Sequence, residues 1–509
     1  MDKQNYADKI WTEYEAGVTF KQQLDLYDTV RVNEDFYVGK QWEGVQSNGL
    51  PTPVFNYIKR IVLYLVSSTA ADSVKLHASP MSGAEQAGAQ DICQVVNDQF
   101  EAIFEQNKVA GLVRRFMRNA AVDGDACLYA WFDPDVDTGQ MLRGAIRTEV
   151  LDNTRVIFGN PNCRGVQEQP YLIVSRRERL EDVRREVREL GGDSEQVRAD
   201  SDEAGDRFDA LSDGKVTTLL KFWKENGTVH AVKTVRGTVV RPAWDTMQKR
   251  YPLVWLSWDA VSNCYHGQSA VTGLIPNQIF VNKMFAMTMI SLMTTAYPKV
   301  IYDRTRIPQW DNGVGKAIGV DLGSGSIGDV ARTIDPAVIS PQVSQFIQLA
   351  ISMTKEFMGA TDAALGDVRP DNTSAIIALQ KASQVPLELT RQDLYQCIED
   401  LGLIWLDLMR VYYGQRLVDA DGVPVPFDFG VLEKAKLTLK LDVGGSAYWS
   451  EIAQVNTLDN LLARGKISLV DYLERIPGGY IPDKEGLAAS LRAREMGQAA
   501  QALPGGEGA

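Results

Sequence analysis

Two glycine-rich segments are the parts of this sequence whose spacing could hold a phosphate. Gly323 to Gly328 fits the pattern Gly-x-Gly-x-x-Gly. That pattern binds a dinucleotide when a helix follows at once within a βαβ unit. Here Pro336 comes eight residues later and no helical pattern lies between. We therefore interpret the segment as a glycine-rich hairpin.

The second segment, Gly313 to Lys316, is similar to the end of a P-loop. A P-loop needs a glycine five residues before Gly315 and a Ser or Thr after the lysine. Trp310 and Ala317 occupy those two positions. The sequence therefore does not predict a nucleotide-driven motor.

Cysteines and histidines are few and scattered. The chain has five cysteines, far apart and without a Cys-x-x-Cys pair, and three histidines in unrelated contexts. This argues against a zinc site and a disulfide framework, and it suits a reducing cytoplasm. There is no Gly-x-Ser-x-Gly elbow and no His-Glu-x-x-His motif. We expect no catalytic residue, no metal and no cofactor.

Length and charge limit the classes of protein to which this chain could belong. With 509 residues, 45% of them hydrophobic, the chain exceeds what one core usually accommodates, which predicts two or more sub-domains. The net charge of −13 disfavours tight, non-specific DNA binding, because that binding depends on Lys and Arg contacts to phosphate. The charge does not exclude a protein past which DNA slides.

No membrane segment is expected. The N-terminus is charged and polar, without a secretory apolar region. The uncharged stretch from Met284 to Tyr297 is shorter than the roughly 18–20 residues of a spanning helix. It also contains four hydroxyl side chains. We expect it to be a helix buried in protein.

The hydrophobic pattern predicts an α+β chain. Residues 1–130 are mostly helical by periodicity, and residues 145–260 are rich in strands, with a hairpin turn at Asn226-Gly227. Arg176–Leu190 is predicted as a solvated, salt-bridged helix ended by Gly191-Gly192. The acidic stretch Asp193–Asp209 is predicted as a mobile surface loop.

The block from 268 to 415 is the most informative. One long helical pattern ends near Tyr297, and a glycine-rich segment, Tyr302–Asp335, follows. Ser340-Pro341 then predicts the start of a helix that runs to Met358. Its apolar positions are Val343, Phe346, Ile347, Ala350, Ile351 and Phe357, and its other side shows Gln345, Gln348, Ser352 and Lys355.

Beyond that helix, a loop at Gly359–Asn372 is followed by a helix predicted over Thr373–Tyr413, which Pro386 should kink. Residues 423–443 are predicted as strand, since Leu437, Leu439, Leu441 and Val443 alternate with Thr438, Lys440 and Asp442. Residues 446–496 are predicted as short helices, and Gly497–Ala509 as a disordered tail.

Several phrases resemble the portal proteins of tailed phages. Asn33–Trp42 with Asn56-Tyr57-Ile58 looks like the N-terminal signature of that family. The start of its first stem helix is similar to four phrases here, namely Tyr265–Ser269, Asn277-Gln278, Asn282-Lys283 and Pro298-Lys299. Thr373-Ser374-Ala375 resembles the segment after its tunnel loop. The order of these phrases over nearly the whole chain carries the resemblance.

The resemblance implies an α+β portal fold with wing, stem, clip and crown regions. Carried over, it gives an N-terminal helical wing region (1–144), a β-rich wing region (145–267), an outer stem helix (268–300), a clip (301–339) and a second stem helix (340–358). It continues with a tunnel loop (359–372), a long kinked wing helix (373–415), wing strands (416–445), crown helices (446–496) and the disordered tail (497–509).

The implied function is a ring-shaped channel, typically of twelve copies, at one capsid vertex of the virion. It would serve genome packaging, retention and ejection. Its implied partners are double-stranded DNA in the channel, the terminase large subunit, a head-completion or adaptor protein, and the major capsid and scaffold proteins. Assembly would take place in the host cytoplasm.

Three groups of residues are the site candidates. The channel-lining candidates are Gln345, Gln348, Ser352 and Lys355. The tunnel-loop candidates are Gly359, Asp362, Asp367, Val368, Arg369, Pro370, Asp371 and Asn372. Arg369 is the only basic residue of that loop; it either contacts DNA phosphate or forms an intersubunit salt bridge to an aspartate.

The third group lies in the clip. Arg304, Arg306 and Lys316, with Trp310 expected to be exposed, suit a protein interface. The alternative is a hairpin packed on itself. For the whole chain, two other functions stay open: another head–tail structural protein of the virion, or an α/β hydrolase that uses scattered carboxylates.

Overall fold

The computed structural model describes residues 3–47, 49, 51–70, 73–81, 89–140, 142–201, 214–296, 300–311, 313, 316, 318–320, 322–323, 325–333, 341–357, 385–420, 423–444, 448–476, 487, 490 and 491. The helices are α1 (Lys3–Gln23), α2 (Leu26–Val38), α3 (Tyr57–Thr69), α4 (Ala89–Gln106), α5 (Val109–Asp123), α6 (Leu180–Glu189), α7 (Ile275–Ala296), α8 (Pro341–Phe357), α9 (Glu388–Tyr412), α10 (Tyr448–Ala463) and α11 (Leu469–Arg475).

The strands are short, and all of their pairings are antiparallel. They are β1 (Ser73–Pro80), β2 (Asp125–Asp133), β3 (Ala145–Leu151), β4 (Val156–Phe158), β5 (Tyr171–Arg179), β6 (Lys215–Glu225), β7 (Thr228–Val235), β8 (Thr238–Asp245), β9 (Leu253–Ser257), β10 (Val300–Tyr302), β11 (Ala331–Thr333), β12 (Gln415–Ala420), β13 (Val423–Asp428) and β14 (Leu437–Gly444). Helices and several small sheets together make the α+β class.

The β-rich region is a five-stranded sheet in the order β4-β5-β6-β7-β8. Its β6–β7 hairpin turns at Asn226 and Gly227, whose φ angles are 52° and 85°. Both lie in the left-handed region that a two-residue hairpin turn requires. The predicted hairpin is therefore confirmed.

Two predictions for this region need correction. The helix predicted from Arg176 begins only at Leu180, because Arg176–Arg179 continue β5 and pair with β6. The acidic stretch after it is not a free loop over its first part. Val197 is buried, and Arg177 forms an ion pair with Asp200.

The main core combines distant parts of the chain. Helices α4, α5 and α9 pack with β1 and β14 and with the β3-β2-β9 sheet, and their apolar side chains form one cluster. Trp405 on α9 lies at its centre, against Phe100 and Phe104 of α4. Gly402 lets α9 approach the β1–β14 pair closely, since a Cβ there would lie 2.8 Å from Leu76.

Between β9 and α9 the chain leaves this core and returns. Helix α7 packs against α8, with Phe280 edge-on to Phe346 at 5.8 Å between ring centroids. The returning chain forms a single 3₁₀ turn at Val385–Leu387, which contains Pro386, before α9 begins. The predicted residues 373–384 of the long helix lie outside the described residues.

Candidate functional site: the paired helices and their insert

Buried amides attach the root of α7, residues 275–282, to the segment that connects α2 and α3. Gln278 donates to the Phe55 carbonyl at 2.8 Å and to Asn282 at 3.0 Å. Asn282 in turn donates to the side chain of Gln41 at 2.6 Å. Buried polar groups need such partners, so this chain of amides fixes the position and direction of α7. The sequence segments that resemble portal proteins, although far apart along the chain, are therefore in contact at this point.

A second group of buried hydrogen bonds holds the segment just before α7. The buried carboxylate of Asp125, at the start of β2, is 2.8 Å from His266 Nδ1 and accepts from the Gly267 N–H at 2.7 Å. Gly267 has no room for a side chain, because a Cβ would lie 2.7 Å from the Asp259 carbonyl oxygen. Burial lowers the pKa of His266, and hydrogen bonding to Asp125 opposes that shift.

Lysine 21 is a structural residue that sequence reasoning missed. Its buried ammonium donates to the carbonyls of Asn153, Thr154 and Val156 at 2.7, 2.9 and 2.7 Å. Burial lowers its pKa to about 7, and the charge of Asp125 opposes that shift. No pattern in the sequence distinguishes this lysine from its exposed neighbours on α1, since its acceptors are backbone groups of a distant turn.

Helix α8 has three faces. Ile347 and Thr354 are buried against the rest of the chain. Phe346, Leu349 and Met353, spaced i, i+3 and i+7, form an exposed apolar stripe. The predicted polar side is present as a third face: Gln345, Gln348 and Ser352 are exposed and Lys355 is half-buried. The single apolar side that the sequence predicted is thus divided between a buried and an exposed face.

The outer half of α7 has four exposed apolar side chains, contrary to the burial predicted for Met284–Tyr297, of which the structure describes the side chains as far as Met293. Met287, Leu292 and Met293 are 64%, 56% and 55% exposed, and Met289 is also exposed. The prediction was wrong for a single chain because periodicity reports an apolar helix but not what covers it. Of the helices in the described ranges, none is both long and apolar enough to cross a bilayer.

The insert between α7 and α8 has a small two-stranded β-ribbon near its two ends. Strands β10 and β11 pair, and Val300 lies opposite Thr333. Within the glycine-rich motif, Ser326 and Asp329 form a capping box on a three-residue 3₁₀ turn. In the described part of this segment the motif is followed by strand β11 and not by the helix that a βαβ phosphate site requires.

The clip candidates lie in this insert. Arg304 is exposed, Arg306 forms an ion pair with Asp303 at 3.7 Å, and Lys316 with Asp311 at 2.7 Å. Trp310, expected to be exposed, is half-buried and stacks on Tyr302 at 5.3 Å. The insert therefore packs partly on itself while its cations face outward.

The tunnel-loop candidates lie outside the described residues, which end at Phe357 and resume at Val385. They are Gly359, Asp362, Asp367, Val368, Arg369, Pro370, Asp371 and Asn372. In the part of the chain that the structure describes, no three His, Cys, Asp or Glu side chains are grouped so that they could hold a metal ion.

A model of the phage P22-like portal protein family matches residues 12–418, about four fifths of the chain. The chain belongs to the P22-like portal protein family. No curated protein sequence matches it.

Family membership decides the broad class. A P22-like portal protein is a structural protein of the phage virion, located in the capsid at its portal vertex and involved in DNA packaging, and it is not an enzyme. The family implies an oligomeric ring with capsid and DNA as partners. The matched range includes the root of α7 with its buried amides, both paired helices and the insert between them.

Proposed function

We propose that twelve copies of this chain form a ring-shaped channel at one capsid vertex, through which double-stranded DNA enters, is retained and leaves. The observation that carries the proposal is the uncovered apolar surface of α7 and α8. Most large apolar side chains of the main core are buried, whereas several of those on the paired helices, among them Met287, Leu292 and Phe346, are exposed.

Helix α7 supports the proposal by having apolar side chains on every side of its outer half. Met287, Met289 and Leu292 point in different directions around the axis. A helix that is apolar all round is normally buried on all sides. Among the described residues, α8 and α3 pack on α7, and neighbouring copies would supply the remaining cover.

Helix α8 suits the inner wall of such a ring. Its buried face would hold it to its own chain, its Phe346 stripe would contact a neighbour, and its polar face would line the channel. That polar face carries the amides of Gln345 and Gln348, the Ser352 hydroxyl and one cation, Lys355. Neutral groups contact phosphate weakly, and the net charge of −13 discourages sticking, so DNA could slide.

The insert would be the clip, and it would dock the terminase large subunit during filling and a head-completion protein afterwards. Its outward cations Arg304, Arg306 and Lys316 and the stacked Tyr302–Trp310 pair supply charge and apolar area for a protein partner. Residues 359–372 would form the tunnel loop, with Arg369 at DNA phosphate, and α10 and α11 would belong to the crown.

The test is particle shape and mass, measured by negative-stain microscopy and native mass spectrometry on the purified chain. Rings with a central hole and about twelve subunits are expected for the native sequence. Met293→Glu on α7 should leave a folded chain that does not form rings. Leu190→Glu, which alters a comparably exposed apolar residue after α6, is the matched control and should assemble.

A compact monomer or dimer that persists at high concentration and with scaffold protein present would contradict the proposal. The role of the tunnel loop is tested separately by Arg369→Ala. That variant should form rings but package or retain less DNA, and failure to form rings would count against the proposed role.

A further inference from the structure

Arg416, at the start of β12, is a buried cation that has no ionic partner among the described residues. The residue is 6% exposed. Its guanidinium donates to the Gly144 carbonyl at 2.8 Å and to the Tyr413 carbonyl at 3.4 Å, and it lies 3.8 Å from the Tyr413 ring centroid. All of these groups are neutral. Within the described residues no carboxylate forms an ion pair with it.

Other covered arginines of the chain are compensated. Arg410 forms ion pairs with Asp407 and Glu433, and Arg118 with Glu34. Burial disfavours the charged form of both arginines, but the neighbouring carboxylates favour it more strongly. The pKa values of Arg410 and Arg118 are therefore raised. For Arg416 burial is the main influence and its pKa is lowered. Within the part of the chain that the structure describes, Arg416 therefore lacks the carboxylate partner that Arg410 and Arg118 have.

A cavity of 130 Å³ lies beside this guanidinium, between α4, the β2–β3 connection and the end of α9. Thr138 contributes a buried hydroxyl without a hydrogen-bond partner. Gln99, which is half-buried, and Gln106, which is exposed, also line the cavity from α4. None of the described residues that line the cavity is acidic.

We propose that this cavity binds a small monovalent anion, either free chloride or a carboxylate. An arginine stays protonated in a protein, and a buried charge without a counter-charge strongly destabilises the fold. A cavity of this size exceeds the roughly 30 Å³ that one water occupies in the liquid. The guanidinium, the Thr138 hydroxyl and the glutamine amides are all donors that an anion accepts from.

The carboxylate could come from solution or from an Asp or Glu side chain of a neighbouring copy, and the chemistry is the same. The two sources differ in their dependence on assembly. A free anion binds the dilute single chain, whereas a partner carboxylate displaces chloride only when copies assemble.

The experiment measures chloride binding to the full chain by the NMR line width of chloride, with acetate as the competitor. The native chain should broaden the line, and acetate should reverse the broadening. Arg416→Met should remove the acetate-sensitive part. Arg115→Met, which alters an exposed arginine of α5 without an ion pair in the described structure, is the matched control and should retain it.

Thermal unfolding in chloride, compared with a bulky anion at equal ionic strength, gives a second readout. Chloride should raise the melting temperature of the native chain in a saturating manner and leave that of Arg416→Met unchanged. A purely structural arginine would instead give the same difference between the two proteins at every chloride concentration. That result, or acetate-insensitive broadening in the dilute chain, would overturn the proposal.

Assembly identifies the source. If the Arg416-dependent broadening persists in assembled rings, the ligand is a free anion. If it is present in the single chain and disappears in the rings, a carboxylate of a neighbouring copy occupies the cavity.

Discussion

The main core and the paired helices α7 and α8 are similarly apolar in sequence, yet a single chain covers them very differently. In the main core, Trp405 and Phe100 are almost completely buried. On α7, Leu292 and Met293 are more than half exposed. The main core is completed within one chain, whereas we propose that other copies cover the paired helices. Substitutions in the two regions should therefore separate folding from assembly.

The largest expected loss of stability comes from Trp405→Ala. It removes a side chain that packs on Phe100 and Phe104 and donates to Thr148 Oγ1 at 3.0 Å. Truncation of such a residue costs about 3–5 kcal/mol. Denaturant unfolding of the single chain should show the loss. A native-like midpoint would mean that the main core does not carry the stability of the chain.

At the root of α7, Asn282→Leu should cost about 1–3 kcal/mol, because it leaves buried Gln41 and Gln278 without their shared partner. Hydrogen exchange should show loosening that is confined to the root of α7. The matched control is Asn277→Leu, which alters an exposed amide one turn earlier. Equal loosening in the control would show that the amide chain does not fasten the helix.

Acid should weaken the attachment before α7 through His266. Its folded pKa is lowered from 6.5, mainly by burial, so below pH 6.5 the unfolded chain binds more protons than the folded chain. Stability contributed by the neutral imidazole is therefore lost as the pH falls, by up to about 1 kcal/mol between pH 6.5 and 5.5. His266→Gln should flatten this part of the stability curve.

The control for this pH dependence is His77→Gln, which alters an exposed histidine of β1. Its curve should follow that of the native chain. If both variants flatten the curve equally, acid acts through general charge repulsion and not through the Asp125–His266 pair.

The smallest expected change in single-chain stability comes from Met293→Ser. The side chain is 55% exposed, so the loss should be below about 0.5 kcal/mol. Ring formation should nevertheless weaken, which a mass measurement over a range of chain concentrations would detect. A large loss of single-chain stability would show that α7 is already buried before assembly.

Local features were predictable from the sequence, and distant pairings were not. The Asn226-Gly227 turn and the helices α3, α4 and α5 follow from turn residues and periodicity. The pairing of β1 with β14, more than 350 residues further along the chain, was not predicted. Val74, Leu76 and Ala78 alternate with polar residues in Ser73–Pro80, so the strand itself had a local signal, which the interpretation of residues 1–130 as mostly helical overlooked.

The candidate site was predictable only in part. The polar face of α8 follows from spacing and is present. The exposure of α7 could not be deduced, because hydrophobicity does not reveal whether the covering atoms belong to the same chain. The buried Asp125 and Lys21 were missed because their partners are backbone groups or side chains brought together by the fold.

The β1–β14 pair also determines when a new subunit can finish folding. Synthesis proceeds at about 5–20 residues per second, so roughly 20–70 s separate the emergence of Ser73 from that of Leu437. During that interval β1 has an open edge, which can pair with the wrong strand. A nascent subunit therefore passes through an aggregation-prone stage on the ribosome, and slower translation lengthens that stage.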